Sequence, residues 1–155
     1  MELADILAER AVLTCSGALN KRQLFERLAQ KASEITGFGA DDLLKTLLAR
    51  EELGSTGLGN GIAIPHGKIV GLKSVTAVFA RLAEPVDFDA VDDEPVDLVI
   101  MLLAPVGAGA DHLKALSKAA RLLRTESVVE QLRQETDPAR LYAVLTKPLE
   151  THYAA

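Results

Sequence analysis

Val96-Asp97-Leu98-Val99-Ile100-Met101-Leu102-Leu103 is apolar at every position but one. A strand with one wet face alternates polar and apolar residues; a strand covered on both faces does not. This run therefore predicts a central strand with a layer of structure on each side. Downstream, Ala104-Pro105 and Gly107–Gly109 end it, and Asp111 opens a helix over His112–Arg124. Leu113, Leu116, Ala120 and Leu123 fall at helical spacing there, with Lys114, Lys118 and Arg121 off that stripe. Upstream, Glu84–Glu94 is acidic and turn-rich, and Val86–Phe88 within it reads as a short edge strand. Before that, Ser74–Leu82 is β-branched and aromatic, as a strand is.

The remaining segments fit around this centre. Ala11–Cys15 reads as an opening strand closed by Ser16-Gly17. Asn20 is placed to cap a helix through Thr36, with Leu24, Phe25, Leu28, Ala32 and Ile35 on one face and Gly37 as its stop. A second helix over Ala40–Leu53 carries Leu43, Leu44, Leu47 and Leu48, begins near Asp41 and ends at Gly54. Its last turn holds Arg50, Glu51 and Glu52; an arginine suits the negative end of a helix dipole, so helix chemistry alone would account for it. Helices over Glu126–Gln134 and Pro138–Thr146 finish the chain, the latter with Asp137 as cap and Pro138 at its first position. The connections are too short and mixed for a doubly wound parallel sheet. The expectation is an α/β fold, one domain over 1–155 with a core of about 5–147 and a loose tail over 148–155. Its mixed sheet of about five strands is flanked by helices on both faces.

Composition narrows the function. In 155 residues, 48% are hydrophobic and 25% charged, which is globular and not disordered. A net charge of −5 without a long basic run argues against nucleic acid as partner. One cysteine, Cys15, excludes an internal disulfide and disfavours a thiolate metal site. The N-terminus carries acids where a signal peptide has bases, and no apolar run is long enough to cross a bilayer. A cytoplasmic protein without direct membrane insertion is expected.

Chemistry concentrates in Gly54–Lys68, G-S-T-G-L-G-N-G-I-A-I-P-H-G-K. Ile62-Ala63-Ile64 leads into Pro65, whose fixed φ sends His66 out of the strand at a rigid place, and Gly67 leaves room beside the imidazole. The spacing matches neither a P-loop, G-x-x-x-x-G-K-[ST], nor a dinucleotide G-x-G-x-x-G between strand and helix. Of the other histidines, His112 stands at a helix start beside Asp111, where it is either a solvated cap or a phosphate donor; His152 lies in the charged tail and is assigned no role. If the chemistry is phosphoryl transfer to His66, the site needs a neutral imidazole with a fixed tautomer and donors for the phosphoryl oxygens. Arg50 offers a bidentate fork, Ser55, Thr56 and Asn60 offer side-chain donors, and Gly67 offers close approach. A metal-dependent hydrolase built on His66, His112 and Asp111 is the weaker reading, since H-x-H and H-E-x-x-H spacings are missing. No metal and no cofactor is expected.

Ala49-Arg50-Glu51-Glu52 followed by this glycine–Ile-Pro-His stretch resembles the enzyme IIA domains of the fructose–mannitol class (type 2) of the bacterial phosphoenolpyruvate-dependent phosphotransferase system, and within it the nitrogen-regulatory branch. Asp92–Pro105 and Asp111-His112-Leu113 extend the resemblance over nearly the whole chain, with Leu58 where isoleucine is common. The resemblance implies a mixed sheet flanked by helices and phosphorylation of His66, through Nε2, by a histidine phosphocarrier of the HPr or NPr kind. It also makes Arg50 the phosphate-facing arginine and His112 the second histidine of the site. It implies a relay component more than an independent enzyme, whose regulated targets would be kinases or transporters selected by the state of His66. A free-standing sugar-specific enzyme IIA, passing phosphate to a IIB component, is the alternative.

Overall fold

The computed structural model describes residues 1–148; residues 149–155, with His152 and the expected tail, lie outside the described residues. In chain order the elements are β1 (Val12–Cys15), α1 (Lys21–Thr36), α2 (Ala40–Glu52), β2 (Gly57–Gly59), β3 (Ile62–Ala63) and β4 (His66–Ile69). Then come β5 (Thr76–Val86), β6 (Val96–Pro105), α3 (Gly109–Leu123), α4 (Glu126–Gln134) and α5 (Pro138–Thr146), with short 3-10 turns at Leu3–Asp5 and Glu9–Ala11 before β1. Among the described residues six strands form one mixed sheet.

β6 is its centre. Every residue from Leu98 to Ala104 is fully buried, so both faces of this strand are covered, as the unbroken apolar run requires. β5 lies antiparallel on one side, in register Thr76↔Leu103 through Arg81↔Leu98, with β1 parallel beyond it. On the other side β3 and β4 both pair parallel with β6, and β2 turns back antiparallel on β3. α1 packs on α2, and α3, α4 and α5 pack in series on one another. The sheet expected to have about five strands has six among the described residues: β2 and β4 are added, and Val86–Phe88 makes no strand of its own.

The break between β3 and β4 revises one expectation. The chain does not leave the sheet after Ile64: it breaks at Ile64-Pro65 and re-enters, so that His66 is the first residue of β4, paired with Leu102. Pro65 has no N–H to offer, but its carbonyl accepts from Leu102 N at 2.9 Å, which keeps the two halves on one line. Val86–Phe88 forms no separate strand; Val86 ends β5 opposite Val96, and Phe88 is buried against Phe25 at a ring separation of 5.7 Å.

Helix chemistry follows the expected rules at α1, whereas at α5 Asp137 stands at the cap position but its side chain makes no cap bond. The Asn20 side chain accepts from Gln23 N at 2.7 Å, Gln23 answers at the Asn20 backbone N–H, and Gly37 closes α1 in the left-handed region. α3 departs from the expected stripe. It starts at Gly109, and its buried face is His112, Ala115, Ala119, Leu122 and Leu123, while Leu113 is 66% exposed.

Candidate functional site

β4 and α2 run side by side, and the first turn of α3 comes up against the start of β4. Between them lies an open hollow of about 340 Å³ lined by Thr46, Ala49, Arg50, Leu53, His66, Gly67, Lys68 and His112. Three distant segments thus supply His66, Arg50 and His112 to one place. Strand alternation brings His66 and Lys68 to the same side of β4, with Gly67 between them pointing the other way. Gly67 faces α2: a Cβ built on it would stand 2.8 Å from the Thr46 methyl carbon, so a bare backbone is what lets strand and helix approach.

The His66 tautomer follows from one contact. Its Nδ1 lies 2.9 Å from the carbonyl oxygen of Ile64. A carbonyl only accepts, so Nδ1 carries a proton, and in the neutral ring the lone pair is on Nε2. The ring is half-buried and meets the His112 ring edge-on, centroids 5.6 Å apart. His112 is 8% exposed, and its buried Nε2 has no hydrogen-bond partner among the described residues. Burial pushes the His112 pKa below the ordinary histidine range, and His66 and Lys68 add to the effect, all favouring the neutral imidazole. Arg50 places Nη1 2.9 Å from the Gly54 carbonyl oxygen, which fixes the guanidinium at the edge of the hollow. The lining contains two cations and no carboxylate. Such a hollow favours an anion, and among the described residues no group of three or more His, Cys, Asp or Glu is placed to hold a metal ion.

Residues 5–147 match the family described as “Phosphoenolpyruvate-dependent sugar phosphotransferase system, EIIA 2”. The chain belongs to that family. It is 46% identical to a “Nitrogen regulatory protein” of Bradyrhizobium diazoefficiens over 97% of this chain and 99% of that one. Its structure resembles the crystal structure of nitrogen regulatory protein IIA-Ntr from Neisseria meningitidis, with a TM-score of 0.86 at 38% identity over 93% and 99% of the two chains. It also resembles IIAMTL of Escherichia coli in its complex with phosphorylated enzyme IIBMTL, with a TM-score of 0.71 at 25% identity over 89% and 94%.

Within this EIIA fold the other residues expected at a phosphate pocket lie apart from the hollow. The Ser55 hydroxyl donates to the Phe88 carbonyl at 2.9 Å and accepts from Gly57 N. Thr56 is 5% exposed, and its N–H and hydroxyl both donate to the Glu51 carboxylate. Asn60, in the left-handed region, donates its N–H to Asp92 at 2.9 Å and accepts from Arg133 at its carbonyl. The N–H groups of Asn60 and Glu94 hold the Asp92 carboxyl below the usual carboxylate range. Each of these three side chains or backbones answers a neighbour within the fold. Conversely Lys68, Thr46 and Leu53 line the hollow and were not singled out from sequence. Lys68 is two residues after His66, a signal legible only once His66 is known to begin a strand.

Proposed function

We propose that this chain is a phosphohistidine carrier and regulatory switch of the nitrogen-regulatory branch, with His66 as acceptor. The observation that carries the reading is the bond from His66 Nδ1 to the Ile64 carbonyl, which reserves the Nε2 lone pair for attack. In the transfer, a P–N bond forms at Nε2 as the P–N bond of a phosphorylated HPr- or NPr-type carrier breaks. Nε2 has no proton to lose, so no general base is required. Arg50 and His112 line the hollow with His66 and in this reading serve the phosphoryl oxygens, the arginine by its charge and fork and His112 through its imidazole. Gly67 lets β4 pack close against α2, the helix that carries Arg50.

Family membership supports a relay between an HPr-type donor and an acceptor protein, and the similarity to nitrogen regulatory proteins favours a switch over a transport component. Phosphorylation adds about 1.5–2 negative charges, enough to change which protein surface the hollow and the exposed Leu53 in its lining attract. In this reading regulated proteins bind one form of His66 and release the other, in the cytoplasm; among the described residues no helix is long and apolar enough to cross a membrane. The likeness to IIAMTL in complex with phosphorylated IIBMTL favours a second reading, a sugar-specific EIIA that hands its phosphoryl group to a IIB component.

The test is reconstitution with phosphoenolpyruvate, enzyme I and a carrier. Wild-type protein is expected to take up acid-labile, base-stable phosphate and His66→Ala none, with its circular dichroism unchanged. Full labelling of His66→Ala overturns the assignment. Onward transfer to a IIB protein and then to sugar would select the second reading.

A further inference from the structure

Glu51 is a carboxylate with 7% of its side chain exposed, one residue after Arg50, and transfer at His66 as described above makes no use of it. Its two oxygens take three donors. Lys21 Nζ, from the first turn of α1, lies 2.8 Å from Oε2; Thr56 N donates to the same oxygen at 3.0 Å, and the Thr56 hydroxyl donates to Oε1. Lys21 is itself fixed, donating to the Phe88 carbonyl at 2.9 Å and lying over the Phe88 ring. A buried ion pair is a poor source of net stability, because desolvation offsets most of the attraction. What such a pair does well is hold geometry, so the question is what geometry this one holds.

Two chains of contacts lead from it into the hollow. Thr56 accepts at its carbonyl from Ile64 N at 3.0 Å, and Ile64 accepts at its own carbonyl from His66 Nδ1 at 2.9 Å. The carbonyl that sets the His66 tautomer therefore hangs from a peptide anchored on Thr56, and Thr56 is anchored on Glu51. On the other side, Glu51 and Thr56 are the two ends of the turn at the close of α2, and the Gly54 carbonyl inside that turn holds Arg50 Nη1 at 2.9 Å. The Glu51 backbone carbonyl also accepts from Gly54 N at 3.2 Å. One buried carboxylate thus stands behind both the nucleophile and its neighbouring cation.

We propose that Glu51 is a positioning residue for phosphoryl acceptance: through Thr56 it fixes the Ile64 carbonyl that orients His66, and through the same turn it fixes Arg50. The proposal rests on His66 being the acceptor. It assigns Thr56 to the site indirectly, as the joint between the carboxylate and the glycine-rich segment and not as a phosphate ligand.

The test compares Glu51→Leu, which has similar size but no acceptor, with Glu51→Gln, whose carboxamide can serve both Thr56 groups if the hydroxyl reverses to accept. Full-length variants are assayed with phosphorylated carrier, and His66 ring ¹⁵N shifts are recorded without phosphorylation. Glu51→Leu is expected to lower kcat about 10–100-fold, the scale on which outer-shell partners act, with KM for the carrier unchanged. Its His66 is expected to lose the pure Nδ1–H tautomer, and Glu51→Gln to recover most of both properties. A folded Glu51→Leu with wild-type kcat and an Nδ1–H tautomer overturns the proposal, as does a loss confined to KM. Should Glu51→Leu not fold, Thr56→Val, which removes only the hydroxyl arm, carries the test: a smaller kcat loss with a mixed tautomer supports it, and wild-type behaviour overturns it. If wild-type protein is not labelled at His66 the acceptor assignment itself fails, while the tautomer measurement still reports whether Glu51 orients the ring.

Discussion

Substituting Gly67 by alanine puts a methyl into the closest approach between the strand bearing His66 and the helix bearing Arg50. The new Cβ would lie 2.8 Å from Thr46 Cγ2. Carbon pairs rest at about 3.5–4.0 Å, so β4 and α2 must part by roughly 0.7 Å or more. Neither side yields freely. Gly67 is paired to Leu103 on the fully buried β6, and α2 is seated by Leu43 and Leu47, each 1% exposed. Overpacking of this kind costs about 1–3 kcal/mol, and a domain of this size loses about 2–4 °C of Tm per kcal/mol, so Tm is expected to fall by roughly 2–12 °C. The methyl responsible can be removed alone: Thr46→Ser deletes Cγ2 and keeps the hydroxyl that donates to the Asp42 carbonyl at 3.1 Å. Gly67→Ala and Thr46→Ser should therefore couple by most of that roughly 1–3 kcal/mol in a thermal or urea double-mutant cycle, the double variant recovering most of the lost stability. Phosphate uptake should follow the same cycle, because parting β4 from α2 moves His66 away from Arg50. Strict additivity, or a Gly67→Ala variant as stable as wild type, would refute the argument that this glycine exists to let strand and helix touch.

Two further outcomes are expected. Arg50→Ala should slow transfer about 100-fold, the scale on which loss of one charge-stabilising donor acts, with only a small loss of stability; an unchanged rate would reduce Arg50 to a brace for the Gly54 carbonyl. The lowered pKa of His112 fixes the sign of a pH effect: the unfolded chain binds its proton first as pH falls below about 6.5. Stability conferred by the neutral buried ring is complete above that pH and declines as pH drops toward the folded value. The slope is at most about 1.4 kcal/mol per pH unit, and His112→Gln should flatten it in urea titrations at stepped pH. An unaltered slope would mean that His112 titrates as a solvated ring.

What could be read from sequence was whatever local physics decides. Asn20 and Gly37 delimit α1 because a side-chain cap and a left-handed glycine act within a few residues. α4 and α5 run over Glu126–Gln134 and Pro138–Thr146 as expected, and the unbroken apolar run from Leu98 marks the strand that both layers cover. What escaped reading depended on distant partners. His66 begins a strand because β6 is there to pair with it, and without that knowledge the His66–Lys68 alternation is invisible. The α3 stripe differs from its spacing at Leu113, which is exposed, because the covered face of α3 carries His112 edge-on to the β4 histidine. Ser55 and Thr56 look like free donors in a glycine loop; Phe88 and Glu51, which occupy them, come from other parts of the chain or from the far end of the same turn.

Everything proposed for this site depends on the lone pair of His66 Nε2 being the phosphoryl acceptor. The most direct measurement is ¹⁵N–³¹P correlation on ¹⁵N-histidine protein phosphorylated through the relay. A single phosphohistidine, His66, is expected, with phosphorus bonded to Nε2 and the proton retained on Nδ1 against Ile64. Phosphorus on Nδ1 of His66, or on His112, would contradict it.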